Sequence, residues 1–188
     1  MERLDCRARA LFVWGLAAIV AMVPAELQGG LYKTQKQALA EAFPGGGIER
    51  KSAFLTDEQA KEIEGLARSR LDSKIIHYYV GLDEEGRPAG AAFFDTHVVR
   101  TTKETVMVLV KPNGTVRRVE ILAFYEPEDY KVRQGWLDRM NDQELTEDMI
   151  VGRDLVRVIG ATLTVRALAA TVRRALALYT VLGGEGES

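Results

Sequence analysis

Cysteine and histidine are scarce in this chain of 188 residues, which has one cysteine and two histidines. A single cysteine, Cys6, excludes an intrachain disulfide and the paired-cysteine motifs that bind zinc or haem. With only His77 and His97 available, we expect no histidine-rich metal site. An excess of one charge is also missing: the formal net charge is −2, and no basic tract is long enough to suggest a nucleic-acid partner.

The signatures of common enzymes are absent as well. The sequence contains no Gly-x-Ser-x-Gly elbow, no phosphate-binding loop and no dinucleotide fingerprint. No set of serine, histidine and acid suggests a hydrolase, so we predict no catalytic residue. The apolar fraction of 47% and the charged fraction of 28% are typical of one globular domain.

Only one long apolar run is present, at residues 11–23, and arginines at positions 3, 7 and 9 precede it. This order predicts a signal peptide or an uncleaved membrane anchor over residues 1–30, with the rest of the chain exported. Val23, Pro24 and Ala25 form a possible cleavage site. A buried core helix is the alternative. The glycine-rich residues 183–188 are expected to be a disordered tail.

Between the N-terminal apolar region and the C-terminal tail, the spacing of apolar residues predicts an α+β domain over residues 31–182. Helices are expected at residues 34–43 and from Thr56, whose partner Gln59 completes a capping box. Residues 48–54 read as a short extended piece. Strands are expected at residues 74–80, 89–99, 104–110 and 115–124, the last two joined by an Asn-Gly hairpin. We predict an antiparallel sheet flanked by helices, all on one side.

The most informative stretch begins the last helix. Gly160 and Ala161 allow close approach to the backbone, and Thr162 is a natural N-cap. A helix N-terminus presents unpaired N–H groups and therefore attracts phosphate. The alternative is a capped helix that only closes the domain.

Gly160-Ala161-Thr162, a further hydroxyl at Thr164 and an alanine- and arginine-rich helix resemble the flavin-attachment motif of FMN-binding domains. These are the extracytoplasmic flavin subunits of Rnf and sodium-pumping NADH:quinone reductase complexes, and their smaller relatives. The resemblance implies a phosphodiester between Thr162 and FMN, made by a flavin transferase, with Leu163 also at the flavin. Ile159 and Val156 depart from the family pattern of a hydroxyl residue and an acid.

The resemblance also implies a ring site. It makes the Glu126-Pro127 turn one wall, with Tyr130 and Trp136 as aromatic neighbours suited to a planar ring. His97 and Arg100 are candidates to contact a phosphate, a flavin carbonyl or a carboxylate. The alternatives are an acidic turn for Glu126, core packing for Trp136 and a surface strand position for His97.

The resemblance therefore implies an electron-transfer component, rather than a stand-alone enzyme, on the extracytoplasmic side of a bacterial inner membrane. If the signal is cleaved, the protein is periplasmic. Its partners would be a membrane redox complex or an electron-carrier protein, the flavin transferase, and the membrane through the N-terminal helix. A flavin-free structural or interaction subunit that retains the fold is the alternative, favoured by Ile159 and Val156. A secreted module that binds a small anion is a third possibility.

Overall fold

A computed structural model describes residues 30–146 and 161–183. The predicted signal or anchor region up to residue 29, Gly160 and the tail from residue 184 lie outside these ranges. Six strands form one sheet: β1 (Gly30–Leu31), β2 (Ile48–Phe54), β3 (Ile75–Leu82), β4 (Pro88–Val98), β5 (Lys103–Val110) and β6 (Val116–Phe124). The helices are α1 (Gln35–Ala42), α2 (Asp57–Ala67), α3 (Gln134–Leu137) and α4 (Thr162–Val181).

All neighbouring strands in the sheet are antiparallel, in the order β1-β6-β5-β4-β3-β2. This arrangement confirms the predicted antiparallel sheet and the α+β class. The hairpin between β5 and β6 also forms where the Asn-Gly pair predicts it. Gly114 has φ +82°, and the Asn113 side chain accepts hydrogen bonds from the backbone and hydroxyl of Thr115. The extended piece at residues 48–54 is β2, an edge strand.

Helices cover both faces of the sheet, so the prediction that all of them lie on one side was wrong. The larger core contains α2, α3, α4 and the side chains of Val106, Val108 and Val110. The smaller core lies on the other face, where α1 packs against Met107 and Leu109. The uninterrupted apolar run of β5 explains this, because a strand buried on both faces has no polar alternation.

Two helices begin with a capping box, of which the sequence predicted the one at Thr56. At the start of α2, the Thr56 hydroxyl accepts from the Gln59 N–H, and the Gln59 side chain accepts from the Thr56 N–H. Thr34 and Gln37 make the same reciprocal pair at the start of α1. The predicted capping box is therefore confirmed, and each pair satisfies backbone donors that the helix itself leaves unbonded.

Within residues 30–146 and 161–183, no helix is both long and apolar enough to cross a membrane.

Candidate functional site

The start of α4 differs from the sequence-based expectation by one residue. Ala161 is the N-cap, with φ −108° and ψ 22°, and the first helical hydrogen bond joins the Val165 N–H to the Ala161 carbonyl at 2.9 Å. Within the part of the chain that the structure describes, no side chain caps this helix. The prediction that Thr162 is the N-cap was wrong, because Thr162 is already the first helical residue and its side chain is exposed.

The two threonines of the motif have opposite environments. Thr164 is 1% exposed, and its hydroxyl donates to the Tyr130 carbonyl at 2.7 Å. Thr162 is exposed, and the neighbouring Leu163 is 48% exposed. One hydroxyl therefore fixes the helix to the rest of the domain, and the other is accessible to a ligand or an enzyme.

The first turn of α4 also offers backbone donors. The N–H groups of Thr162, Leu163 and Thr164 precede the first helical hydrogen bond, so the helix provides them with no acceptor. A helix of 20 residues carries a partial positive charge at this end. Together these features favour a phosphate or another anion beside Thr162.

Tyr130 connects this turn to a second predicted residue. It ends the 3-10 turn Glu128–Tyr130, and the Arg100 guanidinium lies 4.3 Å from the centre of its ring. Because the Tyr130 carbonyl binds Thr164, the fold brings Arg100 into the neighbourhood of the first turn of α4. Three segments that are far apart in sequence therefore meet here, and one of them contributes a cation.

Glu126 is a buried carboxylate that holds the loop carrying Arg100 in place. Its carboxylate is 3% exposed and accepts from the backbone N–H groups of Arg100, Thr101 and Thr102 at 3.1, 2.6 and 2.8 Å. The hydrogen bonds from Thr101 and Thr102 lower the pKa of Glu126 to about 2. The carboxylate is thus used to hold the loop that carries Arg100. Pro127 is exposed, and its carbonyl accepts from the Tyr130 N–H at 2.9 Å.

His97 contacts two carboxylates of the protein itself, and its predicted contact with a cofactor stays a prediction. Its Nδ1 lies 3.2 Å from Asp95 Oδ2, and its Nε2 lies 3.1 Å from Glu104 Oε2. Burial alone would lower the pKa of His97, but the hydrogen bonds and charges of Asp95 and Glu104 outweigh it and raise the pKa to about 9. His97 is therefore an imidazolium at neutral pH, with both nitrogens occupied by protein groups.

The acids beside His97 were not identified from the sequence. Glu104 is fully buried, and burial raises its pKa. Burial also acts to raise the pKa of Asp95, but His97, Thr171 and Arg174 outweigh it and keep that pKa low. Asp95 and His97 are two residues apart in β4, so they share a face, and this spacing was the one available signal. In the described part of the chain, no group of three or more potential ligands could hold a metal ion.

Trp136 packs in the larger core and is 7% exposed, as the core-packing alternative expects. It also lines a cleft beside β6, together with Tyr32, Glu128 and Lys131. Among the described residues, none from the first turn of α4 lines that cleft. The structure thus connects the first turn of α4 to Tyr130 through Thr164, and Tyr130 to Arg100 through its ring. Glu126 holds the loop that carries Arg100, whereas His97 and Trp136 make other contacts.

No protein-family model, curated protein or solved structure matches the chain. An assignment of function therefore depends on the residues of the motif and on the geometry around Thr162.

Proposed function

We propose that this protein is an extracytoplasmic, membrane-associated flavoprotein that transfers electrons through FMN carried on Thr162. The observation that carries the proposal is the exposed Thr162 hydroxyl on the first turn of α4, beside N–H groups that have no acceptor within the helix itself. The nearby Thr164 has the same chemistry, but its hydroxyl is buried and already bonded to the Tyr130 carbonyl.

The residues present suit the phosphate of FMN. The first-turn N–H groups would donate to phosphate oxygens, and the helix dipole favours their negative charge. Arg100 lies over the ring of Tyr130, whose carbonyl binds Thr164, and it would supply a full positive charge in that neighbourhood. In a phosphodiester, the Thr162 Oγ1 would replace one phosphate oxygen, and a flavin transferase would make that bond.

The surroundings also suit a planar ring. Leu163 presents exposed apolar surface next to Thr162, and Tyr125 is 50% exposed just before the Glu126-Pro127 turn. Ligand sites for planar molecules combine such apolar surface with a few fixed polar groups. Bound FMN would supply the electron uptake and release, and this chain's residues would hold and orient it.

The location and partners belong to the same proposal. The arginines before the apolar run at residues 11–23 support export with the N-terminus in the cytoplasm. The flavin would then lie on the outer side of a bacterial inner membrane, where a membrane redox complex or an electron-carrier protein could exchange electrons with it.

The absorbance of the purified full-length protein tests this proposal. When the protein is produced together with a flavin transferase, we expect a yellow protein whose flavin fluorescence stays with the chain on a denaturing gel. Colour that is released on denaturation would show FMN held noncovalently and would contradict attachment at Thr162. A colourless protein would contradict the electron-transfer function and favour the flavin-free structural subunit.

A further inference from the structure

The two edges of the sheet differ in length. The edge strand β1 has two residues, whereas β2, at the opposite edge, has seven. Pairing of β2 with β3 is regular from Ile48 to Phe54, and β2 contains no proline. Within residues 30–146 and 161–183, no strand lies along its outer side. Short strands, prolines and bulges usually keep a sheet edge from pairing with another chain, so β2 is the edge that is open to a partner.

Alternate residues of β2 direct their backbone groups away from the sheet. At one end of the β2–β3 ladder, the Leu82 N–H donates to the Gly47 carbonyl at 2.8 Å, and at the other end the Leu55 N–H donates to the Lys74 carbonyl at 2.9 Å. Directly bonded and unbonded pairs alternate in an antiparallel ladder, so the odd-numbered residues of β2 bond to β3. The even-numbered residues, whose N–H and C=O groups point outward, are Ile48, Arg50, Ser52 and Phe54.

The side chains of these even-numbered residues share the face of the sheet on which α1 packs. Arg50 pairs with Tyr79, which packs against the smaller core, and side chains alternate along a strand. Phe54 is 75% exposed, and Ile75, its partner in β3, is 48% exposed. Exposed apolar side chains therefore accompany the outward backbone groups, a combination that favours pairing with another strand.

Charge selects the register in which a second copy of β2 can pair with it, antiparallel and about a two-fold axis. Centring the pair on Arg50 would place the two Arg50 side chains directly opposite each other, and centring it on Lys51 would do the same for the two lysines. Like charges in directly opposite positions destabilise a sheet. Centring the pair on Ala53 would leave Ile48 without a strand partner, because the facing residue, Glu58, belongs to α2.

Centring the pair on Ser52 avoids these conflicts. Each Arg50 then faces Phe54 of the second copy, and a guanidinium and an aromatic ring attract each other. Each Lys51 faces an alanine and keeps its own partner, because its Nζ lies 3.0 Å from Oε2 of Glu49 in the same strand. This register therefore pairs the whole of β2 without placing like charges directly opposite.

We propose that two copies of this chain join through β2, antiparallel and centred on Ser52, so that their sheets become one continuous sheet. The outward N–H and C=O groups of Ser52 bond to those of Ser52 in the second copy, and the groups of Arg50 bond to those of Phe54. The two-fold symmetry closes the assembly as a dimer, because the interface uses the long edge of both copies. The proposal does not depend on the flavin.

Disulfide cross-linking of the full-length chain, with Cys6→Ser removing the native cysteine, tests the register. Ser52→Cys should cross-link to itself under mild oxidation, because a directly bonded pair has its Cα atoms about 5.5 Å apart. Arg50→Cys alone should not cross-link, since the two positions would lie about 14 Å apart along the strands, but a mixture of Arg50→Cys and Phe54→Cys should. Asn113→Cys, in the exposed β5–β6 turn, controls for random collision. Cross-linking of Arg50→Cys alone, or of Ser52→Cys no faster than Asn113→Cys, would contradict the proposal.

Two substitutions of Phe54 test the pairing with Arg50 through the sign of a charge. Phe54→Lys places a cation opposite each Arg50 and should raise the dissociation constant of the dimer by about tenfold or more, whereas Phe54→Glu places an anion there and should change it by less than about threefold. Sedimentation equilibrium of the full-length chain in a density-matched detergent measures both constants, and circular dichroism checks that both variants are folded. A wild type that is monomeric at every concentration, whether its edge is free or takes another protein, would overturn the proposal. Equal weakening by the two substitutions would overturn it as well.

Discussion

Thr162 and Thr164 show how two identical side chains acquire different roles. Both hydroxyls belong to the first turn of α4, two residues apart. Thr164 faces the protein and donates to Tyr130, whereas Thr162 faces away from the core. A hydroxyl that acts as a nucleophile toward phosphorus must be reachable by the modifying enzyme, so exposure distinguishes the two candidates that the sequence alone leaves chemically equivalent.

Glu126 is predicted to stabilise the fold as a carboxylate, and Glu126→Gln tests this. The amide has one acceptor oxygen and places an NH₂ group where N–H groups already point. We expect the free energy of unfolding at pH 7 to fall by about 1–3 kcal/mol, because hydrogen bonds to a charged acceptor are lost. Urea unfolding monitored by circular dichroism would measure the change.

The pH dependence gives this prediction a definite sign. The folded pKa of Glu126 is about 2, below the ordinary value of 4.5. Its stabilisation is therefore complete above about pH 4.5 and disappears as the pH falls towards 2. The stability difference between wild type and Glu126→Gln should shrink over that interval. Glu144→Gln, at an exposed position, is the control, and a difference that is constant with pH would contradict the role given to Glu126.

The helix starts differ in how they are capped, and this leads to a prediction about their stability. Thr56 makes a reciprocal capping box at α2, whereas the cap of α4 is Ala161 with no side-chain bond. Thr56→Ala should lower the free energy of unfolding by about 0.5–2 kcal/mol. Thr162→Ala should change it by less than about 0.5 kcal/mol, as is usual for an exposed side chain.

Denaturant unfolding of both variants, compared at equal m-values, would measure these costs. If Thr162→Ala costs as much as Thr56→Ala, Thr162 is the cap of α4 and its hydroxyl is not available as described. The comparison also establishes whether Thr162→Ala is a folded control for chemical experiments.

Elements specified by neighbouring residues were predictable from the sequence. The Asn113-Gly114 turn and the Thr56–Gln59 box each form within a few residues, so the local chain contains all the information. The face of the sheet on which α1 packs was not predicted. β5 is apolar on both faces, so it lacks the alternation of polar and apolar residues that would show which face is buried. The one-residue error at α4 has a similar origin, since Ala161 carries no side-chain signal for a cap.

Contacts across the molecule account for what the sequence did not predict. Glu126 accepts hydrogen bonds from backbone groups about 25 residues earlier in the chain. No local sequence pattern indicates that a side chain will bind main-chain N–H groups. Likewise, Glu104 lies opposite His97 only because β4 and β5 pair in a particular register. Arg100 and Tyr130 were already candidates from the sequence, and the fold adds the contacts that link them to each other and to Thr164.

Helix α4 relates the separate features to one another. Over its length of about 30 Å, Thr164 binds Tyr130, Thr171 binds Asp95, and the Tyr179 hydroxyl donates to the Pro112 carbonyl at 3.1 Å. The candidate flavin site, the His97 cluster and the β5–β6 hairpin are thus all fixed to one rigid element. Thr162 begins this element, so a group attached there would be held at a defined position on the domain.

Intact mass is the most direct measurement of the central claim that Thr162 carries FMN. With a flavin transferase present, the wild type and Thr164→Ala should each gain one FMN unit, and Thr162→Ala should gain none. Trypsin should release the peptide of residues 158–166, which contains both threonines, and fragmentation of that peptide should locate the added mass on Thr162. An increment that persists in Thr162→Ala, or that lies on Thr164, would contradict the account.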